Sequence, residues 1–152
     1  MRRGALNHDG QLSLPGVGAL PNKLLRPKGK KGGAHGRLVT AIERWSTTPA
    51  GVALVTLNRT PSGLFVLRHG GAAHGARKGT SDLTGFVLGG RAVAVECKVG
   101  RDRLRPEQVE YLGSVLLRGG WAFVARSLEG FAADLRAAVA GRYAAPAELL
   151  RP

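Results

Sequence analysis

The chain predicts a mixed α/β domain, one sheet sandwiched by helices, and three observations carry that expectation. Apolar residues recur at helical spacing in 38–45, 109–116 and 131–138. Runs rich in β-formers fill 52–57, 64–67, 83–88, 91–99 and 121–125, and Gly, Pro and Asn clusters punctuate the two kinds of segment. At 152 residues the chain suits a single core.

Each element has a local reason. Leu38, Val39, Ala41, Ile42 and Trp45 make one helical face, which Thr47-Thr48-Pro49 ends. Val52–Leu57 and Leu64–Leu67 read as strands joined by the turn residues Asn58 to Gly63, a predicted hairpin. A loop rich in Gly and His runs from His69 to Ser81. Strands 83–88 and 91–99 flank Gly89-Gly90, a second hairpin. Pro106 suits a first helical turn, and Val109, Leu112, Val115 and Leu116 form an apolar stripe that Gly119-Gly120 stop. Trp121–Ala125 is a buried-type strand, and Ser127 caps a last helix through Phe131, Leu135 and Ala138. The expected order is α-β-β-β-β-α-β-α. The expected organisation is a basic arm over 1–36, the folded domain over 37–143 and a tail over 144–152.

Charge narrows the function. Twenty-three Lys and Arg oppose ten acids, a formal net charge of +13, so the surface field favours polyanions and nucleic acid is the leading partner. In the arm, Arg2, Arg3, Lys23, Arg26, Lys28, Lys30 and Lys31 face the single acid Asp9. Lys28, Lys30 and Lys31 have the composition of a backbone-phosphate contact, with a solvated tail as the plain alternative. No apolar run approaches the roughly 18 residues of a membrane helix, and no signal-peptide core follows the basic start. One cysteine, Cys97, excludes an internal disulfide and a Cys-based zinc cluster and suits a cytoplasmic protein.

The informative segment is Gly79-Thr80-Ser81-Asp82, then thirteen residues, then Glu96-Cys97-Lys98. Asp82 stands where a loop enters one strand. Glu96 and Lys98, two apart on the next strand, point to the same face. Carboxylates buried together are costly unless a cation compensates, and a divalent metal with oxygen ligands does so.

These residues resemble the PD-(D/E)XK nuclease superfamily and, within it, the VRR-NUC family of virus-type replication and repair nucleases. The resemblance rests on Gly79-Thr80-Ser81-Asp82-Leu83, Val95-Glu96-Cys97-Lys98, Leu104-Arg105-Pro106-Glu107-Gln108 and the closing Gly119-Gly120-Trp121-Ala122-Phe123-Val124-Ala125-Arg126-Ser127. It covers about residues 37 to 140. It implies a restriction-endonuclease-like α/β fold and Mg²⁺- or Mn²⁺-dependent hydrolysis of DNA phosphodiesters by a bacterial or phage-encoded enzyme. Asp82 and Glu96 would hold the metal, with the Cys97 backbone carbonyl as a further ligand, to polarise the phosphate and acidify a water. Lys98 would orient that water or neutralise the phosphorane, and Gln108 would position the site. Compact members of the family further imply a homodimer suited to cutting branched DNA such as four-way junctions.

One position departs from the family. Its usual glutamate on the first helix aligns with His35, so the expected acid is missing. Glu43 lies eight residues later, about 80° round a helix from the expected direction. Either Glu43 reaches the metal, directly or through water, or the ligand set is thinner, or the protein is a basic DNA-binding protein that does not cut.

Register supplies a geometric expectation. A strict two-residue Gly89-Gly90 turn pairs Asp82 with Cys97 and puts Asp82 on the face opposite Glu96. A three-residue turn, a β-bulge or a bend at Asp82 brings the acids to one face, and such an irregularity is expected here.

Around the site, Arg77 and Lys78 are placed to grip a DNA backbone near the scissile phosphate. Arg101, Arg103 and Arg105 alternate along a loop that suits successive phosphates. The Cys97 side chain reads as a small core hydrophobe, Trp45 and Trp121 as core, and Tyr111 as open between stacking and solvent. No Walker-type phosphate loop is present.

Overall fold

A strand with apolar residues on both faces needs cover on both, and β5 (Ala92–Cys97) is such a strand, buried from Val93 onward. In the computed structural model, which describes residues 33–61, 64–66 and 72–149, it lies inside a four-stranded mixed sheet. The strand order is β1 (Val55–Arg59), β4 (Leu83–Val87), β5, β6 (Trp121–Ala125). The first two neighbouring pairs are antiparallel. β5 and β6 are parallel and joined through α3 (Pro106–Leu117), as a parallel pair requires a crossover.

One face of the sheet offers Val55, Leu57, Leu83, Val87, Val93, Val95, Cys97, Phe123 and Ala125 to Val39 and Ile42 of α1 (Ala34–Ser46) and to Phe131 and Leu135 of α4 (Leu128–Ala137). Phe131 meets Trp45 and Phe123 edge-on, with ring centroids 5.9 and 5.5 Å away. On the other face Ala94 and Ala122 pack under Leu112 of α3. The small alanines allow α3 to approach the strands that carry the acid and the lysine. Trp45 and Trp121 are partly buried against the larger cluster. The Tyr143 hydroxyl donates to the Ala122 carbonyl at 2.8 Å and accepts its N–H at 3.0 Å. No helix among the described residues is long and apolar enough to cross a membrane.

The predicted helices form. α1 begins at Ala34, so His35 lies in its first turn. Pro106 opens α3, and Ser127 Oγ caps α4 by accepting from Gly130 N at 3.0 Å.

Two expectations are corrected. Val52 does not start a strand: Thr48 caps a short helix, α2 (Pro49–Val52), and β1 begins at Val55. The dipeptide Thr48-Pro49 therefore ends one helix and begins another. The segments read as one hairpin do not pair. β1 pairs with β4, while β2 (Leu64–Val66) pairs with β3 (Ala72–His74), a strand within what read as a loop. Local turn residues carry no information about a partner 24 to 32 residues away, whereas the buried Val55 and Leu57 gain cover only in the large sheet. Leu149, in a 3-10 turn over Ala147–Leu149, packs against the α3 cluster. Residues 1–32 of the basic arm, with Lys28, Lys30 and Lys31, lie outside the described residues.

Candidate functional site

The β4–β5 connection has the irregularity that a shared face requires. Val87 N–H bonds the Arg91 carbonyl and Gly90 N–H bonds that of Val87, each at 3.0 Å, so Leu88, Gly89 and Gly90 make a three-residue turn. Both glycines have positive φ, 88° and 81°, which suits such a turn. Leu83 consequently faces Val95, and the same register carried one step further sets Asp82 opposite Glu96.

Asp82 is a bend residue tied to both neighbouring strands. Its carbonyl accepts from Thr60 N at 2.9 Å, and its Oδ2 accepts from Cys97 N at 2.9 Å. Since N–H and C=O of one extended residue point to the same edge, the Cys97 carbonyl is directed to the Asp82 side. Asp82 Oδ2 also lies 3.1 Å from His35 Nε2 on α1.

Glu96, 2% exposed, and Lys98, 6% exposed, share the face covered by α3. Lys98 Nζ donates to Glu96 Oε1 at 3.1 Å and to Gln108 Oε1 at 2.8 Å. Gln108 Nε2 donates to Glu96 Oε1. Gln108 Oε1 also accepts from Arg105 N at 2.9 Å, so the glutamine caps the start of α3 as it holds the charged pair. Burial, and then the charge of Asp82, push the Glu96 carboxyl above its usual range, against the opposing pull of Lys98 and His35. Burial, with Asp82 and Glu96 adding, pushes the Cys97 thiol up to about 12. The thiol is fully buried in the core beneath the site.

His35, Asp82, Glu96, Lys98, Asp102, Arg103 and Arg105 line one open cleft. The structure thus brings together Asp82, Glu96, Lys98 and Gln108, with Arg103 and Arg105 at the rim. Arg126 pins the rim loop by donating to the carbonyls of Gly100 and Asp102 at 3.4 and 3.3 Å. Arg101 is exposed on that loop, outside the cleft lining. Glu43 is elsewhere: its Oε2 lies 3.1 Å from Arg59 Nη2, and it does not line the cleft. Arg77 and Lys78 pair with Glu110 and Glu107 of α3 and line a neighbouring groove with Tyr111, Ser114 and Arg118. Sequence reasoning left two lining residues out of the site, His35 and Asp102. The placement of His35 opposite a family acid was the signal for the first; Asp102, in an irregular loop, offered none.

Among the described residues no three His, Cys, Asp or Glu side chains form a ready cage for an ion. The oxygen donors are two carboxylates and one backbone carbonyl, which suits Mg²⁺, an ion held by one or two carboxylates with waters completing its shell. The raised Glu96 carboxyl fits the same ion, since a divalent charge would offset the burial and the Asp82 repulsion that raise it.

Fold and cleft together describe a mixed α/β protein with a buried carboxylate–lysine–glutamine cluster beneath a basic rim. No family model matches the chain, and no curated protein matches it.

Proposed function

We propose that the protein is a divalent-metal-dependent DNA endonuclease with a restriction-endonuclease-like core of the VRR-NUC type. The observation that carries this reading is the approach of Asp82 and Glu96 from adjoining strands, with Lys98 on the face of Glu96. A structural ion pair needs one carboxylate. Here a second carboxylate raises the cost of the first, which an ion would repay.

Asp82, Glu96 and the Cys97 carbonyl would hold Mg²⁺ or Mn²⁺, which when bound supplies polarisation of a phosphoryl oxygen and an acidified water. Lys98 has a fixed ammonium at the cleft floor, held by Glu96 and Gln108. It neutralises charge that builds on the phosphate under attack. Gln108 acts through both neighbours as a positioning residue. Arg103 and Arg105, exposed at the cleft, bind the flanking phosphates, and the net charge of +13 brings the polyanion to the surface. A homodimer would present two such sites and suits symmetric branched substrates, which need two cuts.

The test is a cleavage panel on linear duplex, nicked, flap and four-way-junction DNA with Mg²⁺, Mn²⁺ or chelator. Wild type is run beside Asp82→Asn, Glu96→Gln and Lys98→Ala. Metal-dependent cutting lost in all three variants, with DNA binding retained, is expected. Cutting by a purified variant overturns the assignment, and binding without cutting by wild type leaves only a basic DNA-binding protein.

A further inference from the structure

Resting on the nuclease reading, we propose that His35 is a nitrogen ligand of the same site and turns its ion preference from Mg²⁺ toward Mn²⁺. His35 Nε2 and Asp82 Oδ2 are 3.1 Å apart and line one cleft with Glu96. Two neighbouring ligands of an octahedral ion bonded at about 2.1 Å lie about 3.0 Å from each other, so this spacing already has the form of a shared ligand edge. The His35 side chain is 45% exposed, and taking up an ion therefore requires little rearrangement of packed core. Its position in the first turn of α1 sets the ring beside Asp82 from outside the sheet.

The chemistry of the donor decides the preference. Two carboxylates and the Lys98 ammonium leave the cleft floor with less negative charge than a third acid would provide, and that loss weakens every divalent cation alike. An imidazole offsets it unequally. Mg²⁺ takes oxygen ligands and dehydrates reluctantly, whereas Mn²⁺ suits the same carboxylate and water ligands and, as a first-row transition ion, also accepts an imidazole nitrogen. Coordination is through Nε2, the ring atom that already lies beside Asp82 Oδ2.

The experiment is metal binding by the full chain after chelator treatment, without DNA. Mn²⁺ is followed by electron paramagnetic resonance, Mg²⁺ by competition, and bound nitrogen by its electron spin-echo modulation. Wild type is expected to hold Mn²⁺ about tenfold or more tighter than Mg²⁺, with modulation from a directly bound nitrogen. His35→Gln should lose that modulation and weaken Mn²⁺ about tenfold with little change in Mg²⁺, and His35→Glu should restore Mg²⁺ binding. Mn²⁺ bound without nitrogen modulation, yet released by Glu96→Gln, overturns the role of His35 and leaves the nuclease reading standing. Absence of any binding that Glu96→Gln removes overturns both.

Discussion

The amide of Gln108 accepts from Lys98 Nζ at 2.8 Å, and this contact joins the α3 start to the charged floor of the cleft. The same oxygen accepts from Arg105 N, while the amide nitrogen donates to Glu96. One neutral side chain, 5% exposed, thus satisfies an ammonium, a carboxylate and a helix-end N–H.

Gln108→Ala removes all three bonds and leaves Lys98 and Glu96 buried with only each other. A loss of about 1–3 kcal/mol in unfolding free energy is expected, the cost of stranding buried polar groups. Urea denaturation should show a lower midpoint at unchanged slope. A loss below about 0.5 kcal/mol would show that water replaces the amide without cost.

The raised Glu96 carboxyl gives a pH dependence of defined sign. Its folded pKa lies above the ordinary 4.5, so between those values the folded chain binds more protons than the unfolded one. The contribution of this group to stability therefore falls as pH rises through that window and is most unfavourable above it. In chelator, wild type should lose stability relative to Glu96→Gln between about pH 4.5 and the raised folded value, and added Mg²⁺ should diminish the difference. Melting temperatures of both proteins across pH 4 to 8 provide the check. A gap that stays flat, or widens in the other direction, would refute the ionic cost assigned to Glu96.

Much of the site was legible because its signals are local. Glu96 and Lys98 two apart on an apolar strand share a face by the period of a strand alone, and Pro106 with Gln108 marks a capped helix start. The turn at Leu88–Gly89–Gly90 was legible only as a condition: if the acids meet, the connection cannot be a two-residue one. The pairing of β1 with β4 was hidden, because 23 residues with their own turn chemistry and a separate β2–β3 pair intervene between Arg59 and Leu83, where the next strand of the main sheet begins. The partner of Glu43 was hidden for the same reason. Its cation, Arg59, lies on β1, and only the packed sheet brings that strand beside α1.

Cys97 sits one residue from both the carboxylate and the lysine, yet its side chain faces the opposite, apolar side of the sheet. With its pKa pushed up to about 12 by burial and the neighbouring acids, it carries almost no thiolate at pH 8. A chromogenic disulfide reagent should label native protein only as fast as the chain unfolds and label denatured protein at once. Rapid stoichiometric labelling of folded protein would place the thiol at the surface and displace β5 from the sheet centre.

The loop that delivers Asp82 is seated against α3 through Gly79. Its φ is +91°, and a Cβ there would stand 2.5 Å from the Glu107 carbonyl oxygen. Gly89, at φ +88°, faces open space and provides the control. Gly89→Ala meets only the left-handed backbone penalty of about 1–2 kcal/mol. Gly79→Ala adds a collision with backbone that no side-chain rotation relieves, about 1–3 kcal/mol more. It also pushes Asp82 away from Glu96, so metal-dependent cutting should fall even where the chain remains folded. Equal destabilisation of the two variants, with cutting retained in Gly79→Ala, would mean that the loop reaches its place without leaning on the helix.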